Sequence, residues 1–204
     1  MTEPQEGLAR LRAGNARFVA NQLSLTASDL ERLRLAEGQN PFAVILGCSD
    51  SRVPTELVFD QGLGDLFVIR VAGNIVAPSQ IGSIEFAAQK FGTKLVVVLG
   101  HTHCGAVEAT IDELQRPAEK QSRNIAAIVG RIRPSVMDLL ERGGIGSREE
   151  LMHKAVRENV RYSANALRHG SEIIEGLIGS GDLLIVGAVY ALDTGVVEIF
   201  DGTP

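Results

Sequence analysis

The chain reads as an α/β fold: a mostly parallel central sheet of about four parallel strands plus a carboxy-terminal edge strand, flanked by helices and preceded by an extended amino-terminal helix. Three observations predict it. Short runs of aliphatic and β-branched residues alternate along the chain with longer stretches at helical spacing. The runs are apolar throughout, as strands buried on both faces of a parallel sheet are. The residues with chemistry to offer follow the ends of two of these runs, where open parallel sheets bind their ligands.

From Pro4 to about Asn21, Leu8, Leu11, Ala16, Phe18 and Val19 fall near helical spacing among charges and predict an amphipathic helix. Thr26-Ala-Ser-Asp-Leu-Glu opens a second helix, with Ser28 or Thr26 as its cap and Gly38 as its stop. Phe42–Leu46 is the first strand, and Pro54 suits the first turn of a short helix over Thr55–Phe59. Leu66–Arg70 is the second strand, Pro78–Phe91 a helix ending near Gly92, and Leu95–Leu99 the third strand, rich in β-branched residues. A helix follows Cys104 to about Leu114. Glu119 to Leu140 is helical with a break expected near Pro134. Gly143–Gly146 is a loop before a long helix from Ser147 to about His169. Asp182–Tyr190 is the fourth strand, and after the Asp193-Thr-Gly195 turn Val196–Phe200 returns as an antiparallel edge.

With 204 residues, the chain is expected to form one domain over 1–204, a helical arm over 1–38 and an α/β core over 39–204. Its 45% apolar and 22% charged residues are an ordinary globular composition. A net charge of −5 argues against nucleic acid or an anionic membrane as partner, since both call for basic faces. The charged start, Met1-Thr-Glu-Pro-Gln-Glu, is unlike a secretory signal, and no apolar run approaches the ~20 residues of a membrane span. A cytoplasmic location is the expectation. Reducing conditions there keep thiols available as metal ligands.

The chemistry concentrates in Cys48-Ser-Asp-Ser-Arg52 and Gly100-His-Thr-His-Cys104. Cys48 and Cys104 are the only cysteines, and each ends an apolar run. Two thiolates and an imidazole form a donor set that suits Zn²⁺ and leaves a fourth tetrahedral position open, as catalytic sites do. On residues alone, His101 and His103 both qualify as the nitrogen donor. The plain alternatives are two buried cysteines acting as small hydrophobes, or a disulfide. Both leave Asp50, Arg52, His101 and His103 crowded at the same two loops without a task.

Cys-Ser-Asp-Ser-Arg-Val-Pro at 48–54 and Gly-His-Thr-His-Cys-Gly at 100–105 resemble the paired signature of the β-class carbonic anhydrases, Cys-x-Asp-x-Arg and His-x-x-Cys. The likeness extends through Asp60–Arg70 and Gly82–Phe86 and covers almost the whole chain. It implies one Zn²⁺ per chain, held by Cys48, His101 and Cys104, and reversible hydration of carbon dioxide to bicarbonate by a zinc-activated hydroxide. Asp50 would orient that hydroxide and Arg52 would hold Asp50 by a two-pronged pair. Two thiolates neutralise the ion's charge, so its water should be less acidic than on a three-imidazole site, and activity should rise with pH. In some members the aspartate instead becomes a fourth ligand at lower pH, a closed state open to Asp50 here.

The resemblance further implies substrate contacts from Gln39, Phe67 and Gly105, a homodimer, possibly a tetramer, with Gln39 reaching across the subunit interface, and an amino-terminal helix laid on the partner. Periodicity alone equally allows a helix packed on its own domain. The family's closed form often holds bicarbonate in a pocket that uses a tryptophan; this chain has no Trp, and Ile45 stands at the matching place. Ala72 and Phe86 depart from the valine and tyrosine of the open form. His103 reads as a helix-start residue or a proton relay, with plain structure preferred. Rival functions are hydrolysis of carbonyl sulfide or carbon disulfide on the same scaffold, and a zinc-stabilised binding protein. A nucleotide site lacks its glycine motifs.

Overall fold

The apolar runs become strands in the computed structural model, which describes residues 2–25, 28–115, 122–143 and 145–203. They are β1 (Ala43–Gly47), β2 (Leu66–Arg70), β3 (Leu95–His101), β4 (Leu184–Tyr190) and β5 (Val197–Asp201). One sheet holds them in the order β2-β1-β3-β4-β5. The first four run parallel, and β5 is antiparallel to β4 with a register shift at Gly187/Ala188. All five residues of β1 and all seven of β3 are buried, as expected of central strands covered on both faces.

Alternation along the strands builds two cores. On one face, Val44, Leu46, Val96 and Val98 meet the helices α4 (Pro78–Phe91), α5 (Gly105–Gln115), α6 (Arg123–Arg142) and α7 (Arg148–Arg168). On the other, Ile45, Val97, Leu99 and Val186 meet Leu8 and Leu11 of α1 (Pro4–Val19) and Val58 of α3 (Thr55–Val58). Leu8 and Leu11 are 1% and 0% exposed. Burying each contributes about 1.5–3 kcal/mol. Asn15 of α1 donates through Nδ2 to the carbonyls of Val58 (3.1 Å) and Gly195 (2.9 Å) and accepts from the Val197 N–H (2.9 Å). Of the two placements open to α1, packing on its own domain is the one observed, because its apolar stripe completes this chain's second core.

Two further readings change. Pro134 does not break α6, which runs through it. The carbonyl that loses its N–H partner belongs to Gly130, which is exposed and so open to water, while Val129, Ile132, Val136 and Leu139 hold the helix on the core. An unexpected helix, α8 (Glu172–Gly179), follows α7; Ser171 caps it by accepting from the Ile174 N–H, and Ile174 is its buried anchor. The helix α2 (Asp29–Leu35) takes Ser28, one of the two expected caps. Ser28 and Glu31 close a reciprocal capping box there. Thr26, Glu119–Gln121 and Gly144 lie outside the described residues. Among those described, no helix is long and apolar enough to cross a membrane.

Candidate metal centre

The sheet's connections leave β1 in opposite directions, to β2 on one side and β3 on the other, so the carboxyl ends of β1 and β3 flank a topological switch point. Gly47 is level with Leu99, so Cys48 emerges beside Gly100 and His101 ends β3 next to it. Cys104 closes the same loop immediately before α5. Ligand atoms of Cys48, His101 and Cys104 lie within 4.8 Å of one another, and all three residues are buried. Both thiols are free.

The imidazole is oriented for ligation. Its Nδ1 lies 2.9 Å from the Thr102 carbonyl oxygen, which only accepts, so Nδ1 carries the proton and donates. Nε2 then carries a lone pair, is buried, and has no hydrogen-bond partner. An acceptor left bare against two thiols is what a divalent metal completes, and carbonyl anchoring of the distal nitrogen is usual for metal-bound histidine. Hydrogen bonding from Cys104 pulls the Cys48 thiol down against burial, helped by the Gly73 and Asp50 N–H groups. The same bond, together with burial, pushes Cys104 up. The two sulfurs thus compete for one proton, and a dication between them favours both thiolates.

Asp50 lies beside these donors. Arg52 grips it with two prongs, Nε to Oδ1 at 2.9 Å and Nη2 to Oδ2 at 2.8 Å, and its own N–H adds a third bond to Oδ1 at 3.0 Å. The Arg52 guanidinium holds the Asp50 carboxyl well below the usual carboxylate range. Arg52 also reaches the His103 carbonyl at 3.2 Å and so ties the two signature loops together. Arg70, from the end of β2, donates to the Cys48 and Asp50 carbonyls at 3.1 and 2.7 Å.

His103 is not in the donor cluster. It is exposed, with φ +54°, and lines a cleft of about 650 Å³ with Arg148, His153 and Asp193. Gly105 opens α5 beside Cys104, and nothing lies within 4 Å of where its Cβ would be. Gln39 and Phe67 stand apart from the donors. Gln39 precedes β1, whose whole length, roughly 16 Å at 3.3 Å per residue, separates it from Cys48. Phe67 is level with Val44, near the amino end of the sheet, where its ring packs 6.3 and 6.1 Å from those of Phe86 and Phe91. Phe86 is half exposed there, Ala72 begins the turn that carries Gly73, and Ile45 is wholly buried in the α1-side core. Sequence reasoning missed Arg70, Gly73 and Asn159 around the site. Only Arg70 carried a signal, a charge closing an apolar strand.

A family model described as carbonic anhydrase matches residues 43–197. The chain is similar to carbonic anhydrase 2 of Mycobacterium tuberculosis, with 40% identity over 195 residues covering 95% of this chain and 91% of that protein. It is equally similar to a carbonic anhydrase of Mycolicibacterium smegmatis, 40% identical over 199 residues, 97% of this chain and 94% of that one. Among solved structures, the β-carbonic anhydrase CafA of Aspergillus fumigatus matches with a TM-score of 0.75 at 25% identity, covering 98% of this chain and 91% of that one. A tetrameric β-carbonic anhydrase of Sordaria macrospora matches in fold with a TM-score of 0.75 at 24% identity, covering 83% and 85%.

Proposed function

Since the chain belongs to the β class of the carbonic anhydrase family and is a carbonic anhydrase, we propose that it interconverts carbon dioxide and bicarbonate with one zinc ion held by Cys48, His101 and Cys104. The observation that carries this reading is the bare, buried Nε2 of His101 facing two buried thiols. Zinc, when bound, supplies hydroxide by lowering the pKa of water from about 15.7 toward about 7, less far with two thiolate ligands than with three imidazoles.

The chain's own residues do the rest. Ionised Asp50 has only acceptors to offer, so it would accept a hydrogen bond from the hydroxide and leave that oxygen's lone pair toward the carbon. Arg52 keeps Asp50 ionised and, by occupying both of its oxygens, holds it away from the metal donors. Gly105, at the start of α5, leaves room beside Cys104 for substrate. Gln39 and Phe67 lie too far from their own chain's donors to touch substrate there, which supports a homodimer in which they serve the neighbour's site. A reducing, cytoplasmic setting suits the two thiolates.

The test is elemental analysis beside a hydration assay, with carbonyl sulfide and carbon disulfide run in parallel. One zinc per chain with carbon dioxide hydration is expected, and both are lost in Cys104→Ser. Gently purified protein without zinc, Cys104→Ser with full metal, or turnover of a sulfur substrate alone would overturn the reading.

A further inference from the structure

Asn159 sits in the middle of α7, outside the donor loops, and is 1% exposed. Its Nδ2 donates to the Gly73 carbonyl at 2.8 Å, and the Gly73 N–H donates to the Cys48 sulfur at 3.3 Å. Gly73 has φ +70°, and a Cβ there would meet Ile132 Cδ1 at 2.6 Å and the Ala106 Cβ at 3.1 Å. Both backbone polar groups of this glycine are therefore committed, one to the metal-ligating sulfur and one to Asn159. The helix that carries Asn159 also touches the second signature loop, because a Cβ on Gly100 would meet Val160 Cγ2 at 2.6 Å.

The other end of the Asn159 amide explains why this is more than packing. Its Oδ1 is buried with no partner, as is Nδ2 of Asn74 beside Gly73. A buried polar atom without a partner is destabilising, and an apolar side chain of similar volume would avoid it. The amide thus satisfies the buried Gly73 carbonyl while leaving its own oxygen bare, a choice that serves the grip on Gly73 and adds little net stability. We propose that Asn159 is a positioning residue for the metal: it fixes the Gly73 turn so that the Gly73 N–H stays aimed at Cys48, orienting that sulfur and drawing off part of its charge. The inference rests on the zinc reading above.

The test uses the full chain, as wild type and as Asn159→Leu, loaded with Zn²⁺ or Co²⁺. Asn159→Leu removes one unpartnered buried oxygen, Asn159 Oδ1, and leaves another, the Gly73 carbonyl, so its metal-free unfolding temperature should stay within a few degrees of wild type. Its zinc affinity, from chelator competition, should fall about 10- to 100-fold, and its sulfur-to-cobalt charge-transfer absorption should shift. Wild-type affinity and absorption in the folded variant would overturn the proposal. If Asn159→Leu does not fold, Asn159→Ser is read by the same two measurements; failure of both to fold would make Asn159 structural and also overturn it. Cobalt-loaded wild type without sulfur-to-cobalt absorption would instead bring down the metal reading and this inference with it, so the two failures are told apart.

Discussion

The Oδ2 of Asp50 stands 3.8 Å from Nε2 of His101 while accepting a 2.8 Å hydrogen bond from Arg52. The 3.8 Å separation is too long for a hydrogen bond, and the unprotonated Nε2 has no proton to give, so the pair is a juxtaposition and not an ion pair. The carboxylate is near enough to meet whatever the imidazole ligates and is restrained from ligating itself. On the proposed mechanism, Arg52 is then what keeps Asp50 orienting the nucleophile and off the metal.

Arg52→Ala should lower hydration roughly 100-fold, the scale of misplacing a catalytic group by about an ångström. Zinc content should stay near one per chain, since Arg52 touches none of the three donors' side chains. Arg52→Lys should recover little, because an ammonium cannot reproduce the two-pronged grip. Assaying metal and rate on the same samples checks this; zinc lost in step with activity would make Arg52 a structural residue.

Asp60 carries the pH dependence of the arm's attachment. Its side chain is buried, and burial alone would raise its carboxyl, but Arg17, the Ser24 hydroxyl and the Ser24 and Leu25 N–H groups bring it down from 3.8 to about 2. A depressed folded-state pKa gives stability that is complete above the unfolded value and is lost as pH falls through the folded one. Asp60→Asn should therefore cost on the order of 2 kcal/mol at neutral pH, and that deficit should shrink between about pH 4 and pH 2. Urea unfolding of the metal-free proteins at several pH values measures it, and a deficit unchanged down to pH 2 would count against the assignment.

Leu11→Ala should destabilise the chain by about 2–5 kcal/mol, as for a large side chain removed from a closed core. Leu11 is 0% exposed among Ile45, Val97 and the other residues of the second core. Urea unfolding would show it; a loss below 1 kcal/mol would mean that α1 is not seated on its own sheet. For the same reason, deleting residues before Gln22 is a poor probe of subunit pairing, since it opens this core first.

The strands and the donor set were legible because both are local patterns: an apolar run ends, and a cysteine with its signature follows within a few residues. Choosing His101 over His103 needed burial and the Thr102 carbonyl, although the family motif pointed the same way. Gly73 and Asn159 were not legible, because they lie 25 and 111 residues beyond Cys48 and meet it only where α7 crosses the end of the sheet. Pro134 misled for a complementary reason: proline's cost depends on whether the carbonyl it strands can reach water, and exposed Gly130 provides that. The eight-residue α8 was hidden by its two glycines, which weaken a helical pattern that burial of Ile174 restores.

The distance between Gln39 and its own donors allows a decisive test of shared sites. If Gln39 binds substrate at all, it does so in another subunit, because the length of β1 intervenes within its own. Gln39→Ala should then lower hydration with full zinc, and Cys104→Ser should abolish it by losing the metal. Each variant damages a different part of the same composite site. In a hybrid dimer, the Gln39→Ala chain supplies an intact metal set while the Cys104→Ser chain supplies an intact Gln39, so one of the two sites is whole. Random exchange at equal amounts makes half the dimers hybrid, and the mixture should regain about a quarter of wild-type activity, following from two-fold symmetry and binomial mixing. Recovery should depend on time and concentration, because chains must part and pair again. A mixture no more active than the sum of its parts, after exchange has been verified by mass, would place Gln39 outside the substrate site and remove the geometric support for a homodimer with shared pockets.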